Sequence, residues 1–417
     1  MRHFYSRITG QVALMNDTSS HSLARHWTLD PGIAFLNHGS FGACPAPVQA
    51  VQQQLRDRIE RQPVQFFVRD LEGLLDEARA SLAAFLGADA SDIALVPSAT
   101  AGVNAVLRSL KLKTGDELLT TNHEYNACRN VLEFVAERTG AKVVVAEIPF
   151  PLASSQQAAA VILDAVTPRT RLALLDHVTS QSALILPIEV LTTTLAELDI
   201  PVLVDGAHAP GMVPVDLNKL GAAYYTGNCH KWLCAPKGSG FLHVNRDYQA
   251  SVRPAIISHG ANTKRRDRSR YLVEFDWTGT TDPSALLSVP AALEFMGSLL
   301  PGGWNAVREH NRSLALAARP LLCTALCLEP PCPDDMIGAI ASFPLPPGSA
   351  EPPTSPLYAD PMQDKLLERY GIEVPVIPWP AAPQRLVRLS AQVYNTLDQY
   401  QLLADALRDL FANGSRE

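Results

Sequence analysis

The sequence predicts an α/β protein with a mainly parallel central sheet flanked by helices, followed by a smaller α+β domain. Strand and helix patterns alternate along the chain, and the strand candidates are apolar on both faces, as in parallel sheets covered by helices. The strand candidates lie at residues 93–96, 117–121, 142–146, 171–175 and 202–204. A chain of 417 residues also exceeds what one ordinary core supports, which favours two domains.

Helices are predicted where apolar residues recur at helical spacing. One helix follows Pro47, and a second runs through residues 71–85 and is ended by Gly87. Residues 330–356 are rich in proline and are predicted to form a surface loop. Beyond this stretch we predict a helix at 362–370, strands at 372–377 and 386–390, and a final amphipathic helix at 397–411. We expect an N-terminal arm (1–35) that packs with the small domain, a large domain (36–290) and a small C-terminal domain (291–417).

The composition argues against several classes of function. A net charge of −7 disfavours a nucleic-acid binder, and the short basic run 264–268 is interpreted as a solvated loop. Seven irregularly spaced cysteines do not suggest a disulfide framework, and the group Cys323, Cys327 and Cys332 lacks zinc-site spacing, so we predict no metal. Residues 1–27 lack a signal-peptide pattern, and no stretch has the length of a membrane span, so we expect a cytoplasmic protein without membrane contact.

Two segments carry the main chemical signal. Lys231 is flanked by small and polar residues and precedes a glycine-rich turn into a strand, which suits a nucleophilic amine whose neutral form is favoured by burial. A single lysine is ordinarily a surface residue, so the inference needs a second element. Asp205 ends an apolar strand, the place where open α/β sheets bind ligands, and a carboxylate there can keep a pyridine nitrogen protonated. An N-cap or a magnesium ligand is the alternative interpretation of Asp205.

Two loops complete the pattern. The letters SATAG at residues 98–102 mark a strand-to-helix junction, where hydroxyls and free backbone N–H groups bind phosphate. Taken alone, this signal is weak because serine is also an ordinary helix cap. The letters NHEYN at residues 122–126 follow another strand and offer a ring that can stack on a pyridine.

These motifs together resemble the fold-type I, class V aminotransferase-like enzymes that use pyridoxal 5′-phosphate (PLP), over nearly the whole chain. The resemblance to their isopenicillin N epimerase-like branch rests on four segments: HGSFG at 38–42, HEY at 123–125, GNCHKW at 227–232 and WTGT at 277–280. It implies a fold-type I PLP-dependent transferase fold, a homodimer, and an enzyme that bonds its cofactor to an amino-acid-type substrate and removes the α-proton.

The resemblance also assigns roles to residues. It implies that Lys231 holds PLP as a Schiff base and moves the α-proton, that Asp205 pairs with the pyridine nitrogen, and that His208 lies near the ring. Arg388 is implied to clamp the substrate carboxylate, with a structural salt bridge as the alternative, and His38 is a second candidate for substrate binding. The implied cofactor contacts are Thr100, Ala101, Tyr125, Ser180, Asp205, His208, Asn228, His230, Lys231 and, from the partner subunit, Thr280.

One departure from the family pattern bears on the reaction. Desulfurases carry a persulfide-forming cysteine on a loop shortly before the arginine, but residues 371–380 contain none, which argues against desulfurase activity. We favour an epimerase, with a carbon–sulfur β-lyase or an aminotransferase as alternatives. An epimerase needs a second acid on the face away from Lys231, and the available residue types are His38, His123 and Tyr125. A non-catalytic PLP-binding regulator is disfavoured because the N-terminal arm is too short for a helix-turn-helix domain.

Overall fold

The computed structural model describes residues 23–350, 357 and 360–413. Its central sheet has the strand order β2-β8-β7-β6-β5-β3-β4. The strands are β2 (Ile93–Val96), β3 (Glu117–Thr121), β4 (Lys142–Ala146), β5 (Thr170–Asp176), β6 (Val202–Asp205), β7 (Tyr224–Asn228) and β8 (Gly240–Val244). Neighbouring strands from β7 to β4 run parallel, while β8 is antiparallel to both β7 and β2. The predicted mainly parallel sheet is therefore confirmed.

Both faces of this sheet are buried, as the uninterrupted apolar strands predict. Along β5, Leu172 and Leu174 join one hydrophobic cluster, whereas Ala173 and Leu175 join another on the opposite face. β4 lies at the edge of the sheet and is partly exposed, in keeping with its position. β5 and β6 each extend beyond the predicted segment to end on an aspartate, Asp176 and Asp205 respectively.

Helices cover the two faces and connect the parallel strands. Those of the larger part are α1 (His38–Phe41), α2 (Ala46–Arg61), α3 (Leu71–Leu86), α4 (Ala99–Leu107), α5 (Asn126–Thr139), α6 (Ser155–Asp164), α7 (Ile188–Glu197), α8 (Leu217–Leu220), α9 (Arg246–Gln249), α10 (Arg270–Asp276), α11 (Ser284–Leu287) and α12 (Val289–Ser298). A helical turn (Pro63–Gln65) and a π-helical segment (Phe66–Asp70) precede α3, and 3₁₀ turns occur at Ala90–Asp92, His259–Asn262 and Asp334–Met336.

The C-terminal part contains a second, smaller sheet with helices packed beside it. α13 (Gly303–Leu326) packs against α15 (Leu397–Asn413), and α14 (Pro361–Tyr370) precedes the short strand β10 (Ile372–Glu373). The antiparallel sheet has the order β11-β12-β9, formed by β11 (Val376–Pro378), β12 (Arg385–Ser390) and β9 (Ile340–Leu345). In the described part of the chain no single helix is long and apolar enough to cross a membrane. The segment of α11 and α12 together with α13 would be, by length and composition alone, but it is bent by 72° at the junction.

The described N-terminal segment, from residue 23 onwards, contacts the C-terminal part. β1 (Ala34–Phe35) pairs in parallel with β10, and the buried Trp27 ring contacts Tyr394 at a centroid distance of 5.0 Å. Residues 1–22 of the predicted arm lie outside the described residues. The three domain boundaries remain predictions.

The prediction of a surface loop over residues 330–356 was wrong in part. β9 lies inside this stretch, and Ile340, Ala341 and Phe343 on it are buried. Proline lacks an N–H group and is excluded from sheet interiors, but β9 is an edge strand of its sheet and so accommodates Pro344. The predicted strand at 372–377 is instead two short strands, β10 and β11. Residues 351–356 fall outside the described residues.

Candidate active site

The predicted cofactor residues converge on one edge of the central sheet. Asp205 ends β6, Lys231 follows the end of β7, Tyr125 follows β3, and Ser98 follows β2. The carboxyl ends of the parallel strands meet at this edge, which is where open α/β sheets bind their ligands. Arg388 reaches the same region from β12 of the smaller sheet.

The Lys231 amine is buried and bonded to a neutral histidine. Its Nζ lies 2.9 Å from Nε2 of His208, and the indole N–H of Trp232 donates to Nδ1 of His208 at 3.3 Å. Because Nδ1 accepts this bond, the proton of the neutral imidazole sits on Nε2 and points at the lysine. Burial, followed by the Lys231 charge, holds the pKa of His208 well below its usual range. In its neutral form, Lys231 accepts this bond on its amine nitrogen.

Desolvation lowers the pKa of Lys231 to about 8, with a smaller contribution from the charge of Arg388. A lysine in water is almost fully protonated at neutral pH, whereas this one is partly neutral and able to act as a nucleophile. The structure thus provides the burial that the sequence argument required of the lysine.

Asp205 is a buried carboxylate held by two donors. Its Oδ1 accepts from the Ala207 N–H at 2.8 Å, and its Oδ2 accepts from the Cys128 thiol at 3.2 Å. Burial raises the pKa of Asp205, while both hydrogen bonds and the Lys231 charge oppose the rise. It does not cap a helix, so the N-cap alternative is excluded.

Two further buried acids surround Asp205 and were not predicted. Burial and the Asp205 charge raise the pKa of Glu124 well above its usual range, and burial together with Glu124 does the same to the pKa of Asp176. Glu124 accepts bonds from Thr120 and from the Tyr125 N–H, whereas Oδ2 of Asp176 has no partner among the described residues. Since neighbouring buried acids cannot all ionise, we assign the negative charge to Asp205, because burial raises its pKa but does not place it well above its usual range, as it does for Glu124 and Asp176.

Glu124, Cys128 and Asp205 bring ligand atoms within 4.8 Å of one another, a spacing that a metal ion could use. Metal ligands must be deprotonated, but burial raises the pKa of the Cys128 thiol well above its usual range and its proton is shared with Asp205. The thiol bond accounts for this contact without a metal.

The predicted phosphate residues surround the N-terminus of α4. Ser98 caps this helix, and Oδ1 of Asn228 accepts from the Ala99 N–H at 2.8 Å. His230 donates from Nδ1 to the Ser239 carbonyl at 3.1 Å, which leaves its Nε2 free to face a ligand. A Cβ on Gly102 would lie 2.1 Å from the Thr226 hydroxyl, so glycine lets α4 lie directly on β7. Thr100 and Ala101 occupy the first turn of the helix and are partly accessible.

Arg388 is a buried cation without an anionic partner. Its Nη1 donates to the Ser180 carbonyl at 2.6 Å and to the Ser180 hydroxyl at 3.3 Å, and its Nη2 donates to the Ser40 hydroxyl at 2.9 Å. Within the described ranges no carboxylate forms an ion pair with it, and Nε has no partner. Burial lowers the pKa of Arg388 to about 10, so it remains charged at neutral pH. The structural salt bridge is therefore not observed, and the site offers an unneutralised charge to a carboxylate.

His38 supports the lysine segment. It is fully buried, its Nδ1 lies 2.8 Å from the Tyr394 hydroxyl, and its Nε2 lies 3.1 Å from the Lys231 carbonyl. Direct substrate binding, as predicted, would require His38 to give up one of these bonds. Gly42 in the same motif approaches His230 so closely that a Cβ would lie 1.9 Å from the His230 carbonyl oxygen. Thr280 is exposed between α10 and α11.

Comparison of the sequence with known protein families identifies the family of this chain. The sequence profile of the Aminotransferase class-V family matches residues 42–328. The chain belongs to this family. The prediction of a PLP enzyme of the class V aminotransferase type is thereby confirmed.

Two relatives and one solved structure are similar to this chain over most of its length. The chain is 36% identical over 397 residues to the isopenicillin N epimerase of Amycolatopsis lactamdurans, covering 92% of this chain and 96% of that protein. It is 30% identical over 410 residues to a probable chloroplastic L-cysteine desulfhydrase of Arabidopsis thaliana, covering 92% and 84%. Mutant C-DES with glycine covalently linked to its PLP cofactor shares the fold, with a TM-score of 0.75, 21% identity and coverage of 91% and 97%.

The lowered pKa of Lys231 predicts the pH dependence of cofactor capture. Only the neutral amine attacks the PLP aldehyde, so the capture rate of the apoprotein should rise with pH and level off above about 8, rather than near 10.5. The rate can be followed by the absorbance change after mixing with PLP, and Lys231→Ala should show no covalent band. A midpoint near the value of a free lysine would show that burial does not activate this amine.

Proposed function

We propose that the chain is a PLP-dependent epimerase that acts at the α-carbon of an amino-acid-type substrate, similar to isopenicillin N epimerase. The observation that carries the proposal is an identity of 36% to such an enzyme over nearly the full length of both chains. The site supports it through a buried amine, a buried carboxylate and a buried, unneutralised guanidinium at one edge of the sheet.

The residues present fit PLP. The N-terminus of α4, Asn228 and His230 would hold the phosphate, Asp205 the pyridine nitrogen, and Lys231 the aldehyde carbon. His208 and Ser180 would lie near the ring hydroxyl, and Tyr125 would offer its ring to stack on the pyridine. When bound, PLP withdraws electrons and so stabilises negative charge on the substrate α-carbon.

The protein residues then position the substrate and move its proton. Arg388 binds the α-carboxylate through two parallel N–H groups, which fixes the α-carbon near Lys231. The neutral Lys231 amine removes the α-proton, and the ionised Asp205 keeps the ring nitrogen protonated. Return of a proton to the opposite face of the α-carbon inverts its configuration.

A carbon–sulfur β-lyase is the second candidate, because the chain is 30% identical to a probable L-cysteine desulfhydrase. The same proton removal precedes loss of a sulfur substituent from the β-carbon. An aminotransferase shares this first step as well. Desulfurase activity is not proposed, since the sequence contains no cysteine after Cys332 and therefore none on the loop before Arg388.

Incubation in D₂O separates the candidate reactions. Purified protein with PLP should be mixed with isopenicillin N, a panel of L-amino acids and L-cysteine. We expect deuterium at the α-carbon together with the opposite epimer, seen by NMR and chiral chromatography. Release of a 2-oxo acid with ammonia, or conversion of the cofactor to pyridoxamine phosphate, in place of the epimer would contradict the proposal.

Arg388→Lys tests the carboxylate site. Lysine cannot reproduce the two parallel donors, so substrate binding should weaken by about 1.5–3 kcal/mol, the range for hydrogen bonds to charged groups. The PLP content should change little, because Arg388 bonds Ser180 and Ser40 but none of the residues that would hold the phosphate. Spectral titration with amino acids and with the corresponding decarboxylated amines measures the effect. Equal losses in both series would mean that Arg388 only supports the fold.

We also propose a homodimer with shared sites, located in the cytoplasm. Thr280 is exposed in the single chain, which suits a threonine that reaches the phosphate of a partner subunit. The cysteines are all free, as expected in a reducing compartment.

Subunit mixing tests the shared site. Lys231→Ala and Thr280→Ala chains should each have low activity alone, and mixed dimers should regain part of it because one composite site carries neither change. Native mass spectrometry should show the mixed dimer. Activity in a monomer, or a mixture no more active than its parts, would contradict the shared site.

A further inference from the structure

The sheet order places Lys231 and Tyr125 on opposite sides of Asp205. Lys231 follows β7, Asp205 ends β6, and Tyr125 follows β3, with β5 between β6 and β3. A pyridine ring that bonds Asp205 through its nitrogen therefore stands between the lysine loop and the Tyr125 loop. With the ring in that position, groups from these two loops would approach the substrate α-carbon from different faces.

The candidate acids other than Tyr125 are engaged elsewhere. Both ring nitrogens of His38 are bonded, and one of them bonds the Lys231 carbonyl, on the lysine side. Those of His123 bond the Ser182 hydroxyl and the Ile148 carbonyl, and its ring contacts that of Trp379 at a centroid distance of 4.6 Å. Burial lowers the pKa of His38 to about 3 and that of His123 to about 4, so neither is an imidazolium that can act as the acid at neutral pH. The Cys128 thiol is bonded to Asp205.

The position of Tyr125 and its protonation state both suit a proton donor. Its side chain is 40% exposed, and its hydroxyl has no hydrogen-bond partner among the residues described. It lies close enough to Arg388, Cys128 and Asp205 for their charges to act on it, which puts it beside the expected substrate carboxylate. Burial raises the pKa of Tyr125, so the phenol is neutral, and solvent access allows its proton to be replaced.

We propose that Tyr125 is the second acid–base group of the epimerisation, delivering a proton to the α-carbon from the face opposite Lys231. This inference rests on the proposed epimerase function. In the L-to-D direction the α C–H bond breaks and its proton passes to the neutral Lys231 amine, which becomes an ammonium. The Tyr125 O–H bond then breaks, a new C–H bond forms on the other face, and a phenolate remains. Proton exchange with water restores neutral Lys231 and Tyr125, so the product carries one solvent proton.

The test is Tyr125→Phe, which keeps the ring and removes only the hydroxyl. Tyr248→Phe is the matched control, because Tyr248 contacts Tyr224 away from the site. PLP content, the absorption spectrum of the holoenzyme and the substrate dissociation constant from spectral titration should be unchanged in both variants. In D₂O, Tyr125→Phe should still exchange the α-proton from the Lys231 face, with retention of configuration, while epimer formation falls at least about 100-fold. The control should behave as wild type.

Two outcomes would overturn the assignment. Epimer formation by Tyr125→Phe at the wild-type rate would show that another group protonates the second face. If Tyr125→Phe lost α-proton exchange and epimer formation equally, with unchanged cofactor and substrate binding, the hydroxyl would not act only on the face opposite Lys231. Wild-type protein that yields ammonia and no epimer would instead overturn the proposed function, before any variant is compared.

Discussion

Burial of the Lys231 amine beside His208 constrains the rest of the site. An ammonium in a dry environment loses its hydration, so the neutral form gains stability and the pKa falls to about 8. The bond from Trp232 fixes the proton of His208 on the nitrogen that faces the lysine. His38 holds the Lys231 carbonyl, so the HGSFG and GNCHKW segments are one structural unit although they are far apart in sequence. Gly42 permits this unit, because a larger residue would collide with His230.

The site contains one buried negative charge and one buried positive charge, and each can form an ion pair with a bound group of opposite charge. Asp205 is ionised among acids held neutral, and Arg388 is a buried cation bonded only to hydroxyl and carbonyl oxygens. A buried, unpaired charge destabilises the free protein and is relieved when a ligand of opposite charge binds. Under the proposed function, the ring nitrogen and the substrate carboxylate are such ligands. Arg388 comes from the smaller sheet and Asp205 from the central one, so the two sheets must be correctly packed for both pairs to form.

The fold, and the convergence of the predicted cofactor residues on one edge of the sheet, could largely be predicted from sequence because their signals are local. β3 and β4 coincide with the predicted segments, and the loops after β2, β6 and β7 carry recognisable residues at strand ends. The contacts that complete the site are not local. Arg388 meets Ser180 across 208 positions, and Cys128 meets Asp205 across 77. In the sequence, nothing distinguishes Glu124 from an ordinary acidic residue near the start of a helix, or Cys128 from an ordinary small buried residue. β9 was missed because the prolines in and around it suggested a loop, and only its edge position explains why the strand tolerates Pro344.

Reduction of the holoenzyme with borohydride tests the central claim most directly. The reagent turns the link between PLP and its lysine into a stable secondary amine, which peptide mass spectrometry can locate. The account predicts that the modified peptide carries the pyridoxyl group on Lys231 and that the exposed Lys237, six positions further on, is unmodified. A pyridoxyl group on Lys237 or another lysine, or none on any peptide of a yellow protein, would contradict it.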